Sequence, residues 1–243
     1  MESDIIKNNL KIIQKRINRA CDLSNRNKNE VKLLLATKTV SVENIQFAID
    51  EGYSLLGENK VMEAMEKYEV LKENRCEWHI IGHLQTNKIK YALKFADVIQ
   101  SVDRIKLANK LQNRCEYDGR NIDIFIQVNT SFEKSKFGIA PERAIEFIKQ
   151  VSEFPRLHIK GLMTIGLLSS QDEKVRDCFK LLKEIQLKSQ ALELPNASFD
   201  ELSMGMSNDL ELAIEEGSTM IRVGTAIFGQ RPFPDSYYWN ERN

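Results

Sequence analysis

Apolar positions in the first segment of this chain recur with the period of a helix. Ile5, Ile6, Leu10, Ile13 and Ile17 follow one another at helical spacing, and most of the positions between them are Lys, Asn or Arg. A stripe of this kind is typical of a helix that packs one face on a core. The pattern therefore predicts an amphipathic helix at the N-terminal end of the chain.

Beyond this helix, short apolar runs alternate with longer segments of helical period. Eight runs have the near-continuous apolar character of strands that are buried on both faces. These predicted strands are Lys32–Lys38, Tyr53–Asn59, Trp78–His83, Val98–Asp103, Asp123–Thr130, His158–Gly166, Glu201–Gly205 and Met220–Gly229. The predicted helices between them are Val42–Glu51, Lys60–Glu73, Asn87–Phe95, Arg104–Tyr117, Pro141–Glu153, Glu173–Leu192 and Asn208–Glu216.

Strict alternation of strand and helix predicts parallel strands joined by crossover helices. Eight such units in 243 residues favour an α/β fold, a (β/α)8 or TIM barrel with an extra N-terminal helix, and a single domain over residues 1–243. A doubly wound open sheet is the alternative, although no GxGxxG motif follows the first run. Residues Pro232–Asn243 look like a terminal tail whose aromatic side chains either pack on the barrel or stay loose.

Composition and charge narrow the classes of function. The chain has 35 basic and 35 acidic residues, and its formal charge of zero argues against broad binding of nucleic acid or anionic membranes. The N-terminus does not resemble a signal peptide, and no apolar stretch is long enough to span a membrane. The four cysteines are far apart and form no CxxC pair, which indicates free thiols in a reducing compartment. We therefore expect a cytoplasmic protein.

The active site of a (β/α) barrel is built where its strands end, and Lys38 ends the first run. An amine that follows the apolar residues 33–36 sits at the edge of an apolar wall. Desolvation there favours the neutral amine, which can attack a carbonyl group. A lysine that is merely solvated just past a strand fits this position equally well.

Glycine-containing turns follow the last two runs. In LSMGMSNDL (202–210), Gly205 permits a tight turn and Ser207 is the predicted N-cap of the next helix, whose free N–H groups suit an anion. Gly224 and Thr225 form a second such turn after the start of the eighth run. Each turn alone is an ordinary capped turn, but together they favour a phosphate site of a kind that recurs in this fold.

Arg222 lies inside an apolar run, where a guanidinium group requires a partner. That partner is either a structural carboxylate or an acceptor on a ligand ring, and beside a pyridine nitrogen the cation disfavours protonation of the ring. His79 and His83 are too far apart along a strand to chelate one metal, and they lack the glutamate of a zincin helix. We therefore expect no metal site, whereas His83 near the rim is able to contact a ligand.

Seven segments resemble a known family. They are ATKTVSVENIQFAIDEGYSLLGENKVMEA (36–64), WHIIGHLQTNKIK (78–90), IQSVDR (99–104), IFIQVNTSFEKSKFG (124–138), GLMTIG (161–166), LSMGMSNDLELAIEEG (202–217) and STMIRVGTAIFGQR (218–231). In this combination the chain resembles the pyridoxal phosphate homeostasis proteins, which bind pyridoxal 5′-phosphate (PLP). The resemblance implies a barrel like the N-terminal domain of bacterial alanine racemase.

The resemblance also implies a set of cofactor-binding residues, with PLP held as a Schiff base on Lys38. The implied set is Ser203, Gly205, Ser207, Gly224 and Thr225 around the phosphate, Arg222 at the pyridine nitrogen, and Asn59 and Met163 along the ring. The chain departs from the family pattern at two places. Met62 stands where the family often has Gln, and LLSSQDEK (167–174) replaces the usual proline-containing loop.

Three functions are consistent with these residues. The first, implied by the family, is a PLP carrier in intracellular vitamin B6 homeostasis, monomeric and without efficient catalysis, with PLP-dependent apo-enzymes as its recipients. The second is an amino-acid racemase, which needs an acid/base on each face of the substrate. We expect no room after the eighth run for the domain that supplies the second base in alanine racemase, although weak racemase-like activity stays open. The third, a cofactor-free lyase, is disfavoured because Lys38 lies on the first strand.

Overall fold

The computed structural model describes residues 2–167 and 169–230, and its eight strands form one closed parallel barrel in chain order. The strands are β1 (Lys32–Ala36), β2 (Leu55–Glu58), β3 (Glu77–Ile80), β4 (Val98–Val102), β5 (Ile122–Gln127), β6 (Leu157–Met163), β7 (Ala197–Ser203) and β8 (Met220–Val223). The α-helices of these residues are α1 (Glu2–Leu23), α2 (Val42–Asp50), α3 (Val61–Leu71), α4 (Ile89–Ala92), α5 (Ile105–Asp118), α6 (Ala144–Ser152), α7 (Asp172–Gln190), α8 (Leu210–Glu215) and α9 (Thr225–Phe228).

Closure of the barrel follows from pairing of the first strand with the last. β1 is hydrogen-bonded to β2 on one side and to β8 on the other, and every pair in the barrel is parallel. The predicted (β/α)8 barrel is therefore confirmed, and the open sheet is excluded. The predicted tail Pro232–Asn243 lies outside the described residues, so its packing and the single-domain boundary stay predictions.

The N-terminal helix α1 lies outside the barrel, near the place where β1 meets β8. It packs against α2, α8 and α9. Its apolar stripe is buried at Ile6, Leu10, Ile13 and Ile17. Ile5, the first residue of the predicted stripe, is exposed, so the prediction is wrong at that position. The helical period of the first segment thus predicted the helix and, except at Ile5, the face that it buries.

Two apolar clusters divide the core. The larger one lies between the strands and the surrounding helices, and the smaller one fills the barrel interior. The interior cluster consists of Leu34, Val98, Phe125, Met163 and Met220. Because side chains two apart on a strand share a face, Arg222 on β8 continues the inner face of Met220.

The predicted bounds of the last two strands are wrong. The run Met220–Gly229 was expected to form one strand, but β8 ends at Val223 and the helix α9 follows it. Apart from Arg222 and Thr225, the segment consists of apolar residues and glycine, so it has no period that separates a strand from one turn of helix. β7 begins at Ala197 rather than Glu201. The prediction missed the first half of this strand because polar side chains interrupt the apolar run between these two positions.

Ser207 does not cap α8, so its predicted role as an N-cap is wrong. The helix begins at Leu210 and its N-cap residue is Asp209. Asp209 Oδ1 accepts the backbone N–H of Met206 at 2.6 Å, which holds the turn between β7 and α8. Ser207 therefore lies within this turn, where it is half-buried.

Candidate functional site

Lys38 lies in the turn after β1, and both of its neighbours are fixed by hydrogen bonds. Thr37 is buried and donates its backbone N–H to the Gly57 carbonyl of β2 at 3.0 Å. Thr39 has a left-handed backbone with φ of 64°, which is uncommon for a β-branched residue. Its N–H donates to Glu63 Oε1 at 2.6 Å. The half-buried Lys38 is thus presented by a turn of defined conformation.

A buried charge cluster of Glu58, Glu63 and Lys67 holds this turn. Lys67 Nζ donates to Glu58 Oε1 at 2.8 Å and to Glu63 Oε1 at 2.6 Å. The same ammonium group donates to the Thr37 carbonyl at 2.7 Å, and Thr37 Oγ1 donates to Glu58 Oε1 at 2.7 Å. One lysine therefore ties β2 and α3 to the residue that precedes Lys38.

Within the buried charge cluster, desolvation is the largest influence on the pKa of Glu58. Burial raises the pKa of Glu58, and the positive charge of Lys67 opposes that rise. Breaking such a pair leaves a buried charge without compensation, which is strongly destabilising. The sequence showed Glu58 only as a strand end, and the spacing of Glu63 and Lys67 on one helix face was the only visible signal of the cluster.

Arg222 is buried on β8 and donates to two neutral acceptors. One terminal nitrogen donates to Ser203 Oγ and the other to the Thr164 carbonyl, each at 2.7 Å. Burial lowers the pKa of Arg222 to about 10, against the opposing negative charge of Asp209. The guanidinium therefore keeps its charge at neutral pH. The sequence allowed either a structural carboxylate or a ligand acceptor as the partner of Arg222. Neither of these two contacts is a carboxylate.

Ser203 links Arg222 to a further buried side chain. It is fully buried at the end of β7, and its Oγ donates to Gln100 Oε1 at 2.6 Å. The structure thus places Ser203 beside Arg222 in the barrel interior, and its role at a phosphate stays a prediction. Sequence reasoning missed Gln100, since it lies in the fourth apolar run and only a contact between distant strands reveals it.

The loops after β7 and β8 bring four of the predicted residues together. Ser207 Oγ and Thr225 Oγ1 lie 3.4 Å apart. Gly205 has φ of 93°, a conformation that favours glycine. A Cβ atom on Gly224 would lie 2.7 Å from the Ala36 carbonyl oxygen, so the backbone of this turn approaches β1 closely. Two hydroxyl groups and two tight backbone turns therefore share one end of the barrel.

Met163 and Asn59, the two residues predicted to lie along the cofactor ring, differ in burial. Met163 ends β6 and is fully buried in the interior cluster, one residue before the Thr164 carbonyl that accepts from Arg222. Asn59 follows β2 and is half-buried. Its backbone adjoins Gly82, where an added Cβ atom would lie 2.4 Å from the Asn59 carbonyl oxygen. Both residues lie at the C-terminal ends of their strands, as predicted.

His83 lies at the rim and stacks on an aromatic ring of a neighbouring loop. Its ring and that of Phe137 are 3.9 Å apart between centroids. Burial and the positive charge of Arg104 lower the pKa of His83, and Asp103 opposes this shift. Within residues 2–167 and 169–230, no group of His, Cys, Asp and Glu side chains is arranged to hold a metal ion. None of the helices in these ranges combines the length and apolarity that crossing a membrane requires.

Comparison with known proteins identifies the family. The family model described as the alanine racemase N-terminal domain matches residues 2–232. The pyridoxal phosphate homeostasis protein of Aquifex aeolicus is 41% identical over 221 residues, which cover 91% of this chain and 96% of that protein. This chain belongs to the pyridoxal phosphate homeostasis protein family.

Solved structures agree with membership of the pyridoxal phosphate homeostasis protein family. PipY of Synechococcus elongatus, solved with PLP bound, is 32% identical with a TM-score of 0.78, and the match covers 88% of this chain and 100% of PipY. A protein of Bifidobacterium adolescentis described as unknown is 36% identical with a TM-score of 0.90, covering 93% and 96% of the two chains. The family resemblance stated from the sequence is confirmed.

Proposed function

We propose that this chain binds PLP as a Schiff base on Lys38 and serves intracellular vitamin B6 homeostasis as a carrier. The observation that carries the proposal is the meeting of three kinds of group at one end of the barrel. These are the amine of Lys38 on its fixed turn, the buried cation of Arg222, and the paired hydroxyls of Ser207 and Thr225. The presence of PLP in PipY supports the choice of ligand.

The chemistry of these residues fits PLP. A phosphate accepts hydrogen bonds, which Ser207 and Thr225 are able to donate, and the tight turns at Gly205 and Gly224 allow close approach of backbone. Arg222 uses two of its five N–H donors for Ser203 and Thr164 in the described part of the chain. Asn59 and Met163 complete the set as residues along the ring. Ser203 belongs to the proposed site as the residue whose hydroxyl accepts from Arg222 and donates to Gln100.

PLP, when bound, supplies an aldehyde and an electron-withdrawing ring. Lys38 is the residue that would hold the aldehyde through its amine, and the hydrogen bonds of Thr37 and Thr39 hold the turn that carries it. Arg222 stays charged at neutral pH, and a cation beside the ring nitrogen disfavours protonation of that nitrogen. An unprotonated ring withdraws electrons weakly. This arrangement suits storage of the cofactor better than turnover of a substrate.

We further propose that PLP-dependent apo-enzymes receive the cofactor from this protein. Attachment through a Schiff base to Lys38 supports such a role, because either water or the amine of a recipient lysine would break the C=N bond and regenerate the Lys38 amine. All four cysteines are free thiols, which suits the reducing environment of the cytoplasm. We propose a cytoplasmic monomer in which residues 1–243 form a single PLP-binding domain.

The second candidate function is a PLP-dependent amino-acid racemase. It is favoured by the match to the model of the alanine racemase N-terminal domain. Racemisation requires a proton donor on one face of the substrate and a proton acceptor on the other. Lys38 is a candidate for one of these roles only, so the carrier is our first choice.

The absorption spectrum of the purified protein tests PLP binding. We expect a band of lysine-bound cofactor, and a pyridoxyl group on Lys38 after borohydride reduction and peptide mapping. Lys38→Ala should abolish the band. The matched control is Lys32→Ala, at the other end of β1, where the lysine pairs with Glu201 at 3.0 Å. If no band forms after incubation of the protein with PLP, both PLP-dependent functions are excluded.

Optical activity separates the carrier from the racemase. D- and L-amino acids are incubated with the PLP-loaded protein, and the Lys38→Ala variant serves as the blank. We expect no conversion, or conversion far below the ~1–10³ per second of ordinary enzymes. Turnover in that range would establish the racemase in place of the carrier.

A further inference from the structure

A chain of hydrogen bonds continues from Arg222 through the barrel interior to the opposite end of the strands. Beyond Ser203 and Gln100, the Gln100 Nε2 atom lies 2.6 Å from His79 Nδ1, and His79 Nε2 lies 2.9 Å from Glu77 Oε1. The three middle side chains are almost fully buried. Glu77, the first residue of β3, has a side chain that is 52% exposed. The chain thus joins a buried cation to a solvated carboxylate.

The donor and acceptor roles along this chain follow from its first member. Arg222 has donors only, so Ser203 Oγ accepts its N–H and the serine hydroxyl donates to Gln100 Oε1. The amide nitrogen of Gln100 then faces two acceptors, His79 Nδ1 at 2.6 Å and Met220 Sδ at 3.1 Å. Each of these acceptors takes one of the two amide protons.

The same reasoning fixes the tautomer of His79. Since Nδ1 accepts from Gln100, the imidazole proton lies on Nε2 and is donated to Glu77. The hydrogen bond from His79 is the main cause that lowers the pKa of Glu77 below its ordinary value. Every bond therefore points from the guanidinium toward the carboxylate, and aligned hydrogen bonds polarise and strengthen one another.

We propose that Gln100 and His79 are positioning residues that orient the Arg222 guanidinium toward the ring of bound PLP. The inference rests on the proposed function. A flipped Gln100 amide would turn an N–H toward Ser203, and the serine hydroxyl, which already accepts from Arg222, would lose its acceptor. His79 prevents that flip, because the Glu77 carboxylate accepts the proton of Nε2 and so leaves Nδ1 as an acceptor. The orientation of one buried amide therefore decides whether the Ser203 hydroxyl, which accepts from Arg222, has an acceptor for its own proton.

Nitrogen-15 NMR of the protein without PLP tests the directions of these hydrogen bonds through the tautomer of His79. The sequence has three histidines, and the variants His83→Gln and His158→Gln assign the signals of His79 by elimination. We expect the neutral His79 tautomer with its proton on Nε2, and slow solvent exchange at that site. A proton on Nδ1 would overturn the proposal. This measurement does not depend on whether PLP binds.

PLP affinity tests the consequence for the site. Gln100→Met removes the acceptor of Ser203, and we expect the dissociation constant to rise about tenfold (~1.4 kcal/mol) together with a shift in the absorption maximum of the bound cofactor. Gln100→Glu keeps that acceptor and should restore most of the affinity. The matched control is Gln186→Met. Gln186 is also buried, and it donates to the Phe199 carbonyl at 2.6 Å, which is not part of the series of hydrogen bonds from Arg222 to Glu77.

Equal losses of affinity in Gln100→Met and Gln186→Met would overturn the positioning role, and so would unchanged affinity in Gln100→Met. If Gln100→Met does not fold, the variant Glu77→Gln replaces it. The Glu77 side chain is 52% exposed, so this substitution should leave the fold intact. We then expect a rise of about threefold in the dissociation constant, and no rise would count against the proposal. Absence of PLP binding by the unaltered protein would reject the proposed function and leave the NMR result standing.

Discussion

Two buried cationic side chains of the candidate site, Lys67 and Arg222, are held in opposite ways. Lys67, which holds the Lys38 turn, bonds to two carboxylates and one carbonyl within the buried charge cluster. Arg222 bonds to a hydroxyl and a carbonyl, and both are neutral. Lys67 is thus neutralised by carboxylates to which it is hydrogen-bonded, whereas Arg222 is hydrogen-bonded to neutral groups and is influenced by the charge of Asp209. The contrast separates a structural cation held by carboxylates from one held by neutral groups, and the second arrangement is the one that our proposal assigns to ligand binding.

Removing the structural cation should have the largest effect on stability. Lys67→Met leaves Glu58 buried without its partner, and we expect the free energy of unfolding to fall by about 3 kcal/mol in urea titrations near neutral pH. Lys72→Met removes an exposed lysine that pairs with Glu69 at 3.0 Å, and this control should change stability by less than ~0.5 kcal/mol. Similar losses in both variants would show that burial of the charge cluster has no energetic importance.

The loss caused by Lys67→Met should grow with pH. Burial already raises the pKa of Glu58, and removal of Lys67 takes away the charge that opposes this rise. The folded state then keeps a proton that the unfolded state releases above its ordinary pKa. Stability therefore falls as pH rises from that value toward the raised pKa. Urea titrations at about pH 5 and pH 8 measure this slope, and the double variant Glu58→Gln with Lys67→Met should abolish it.

A smaller loss of stability is expected when a hydrogen-bond partner of Arg222 is removed. Ser203→Ala leaves a guanidinium N–H and the Gln100 carbonyl oxygen without partners, which should cost about 1–2 kcal/mol in urea unfolding. The control Ser189→Ala removes a buried hydroxyl that donates only to the Ile185 carbonyl of its own helix in the described structure. That change should be close to neutral. A loss as large as that of Lys67→Met would remove the contrast between the two cations.

The smallest effects on stability are expected in the two exposed turns. Ser207→Ala and Thr225→Ala each remove a hydroxyl predicted to bond the phosphate, so the dissociation constant for PLP should rise about tenfold. Unfolding free energies should stay within ~0.5 kcal/mol of the unaltered protein. Asn208→Ala, an exposed change in the same turn as Ser207, should leave both quantities unchanged. Unchanged affinity in both hydroxyl variants would remove these residues from the site.

The sequence predicted the barrel well because each strand of a parallel barrel is a local apolar run. It failed where local pattern carries no information, as at the β8–α9 boundary after Val223, where strand and helix are equally apolar. At the site, Lys38 and Arg222 stood out because each is a charge at an apolar position. Lys67 and Gln100 did not, since their importance comes from hydrogen bonds between segments that are far apart in the sequence.

The N-terminal helix α1 has a consequence for the order of folding. Asn9 donates to the Ile227 carbonyl at 2.9 Å, and Arg16 donates to the Ser207 carbonyl at 2.9 Å. Helix α1 therefore completes these contacts only after residues 191 and 218 positions further along the chain have been synthesised. Contacts of such long sequence separation slow folding, because a long loop must close before they form. A ligand held between Lys38 and Thr225 would join the same two ends of the chain and so oppose reopening of the barrel.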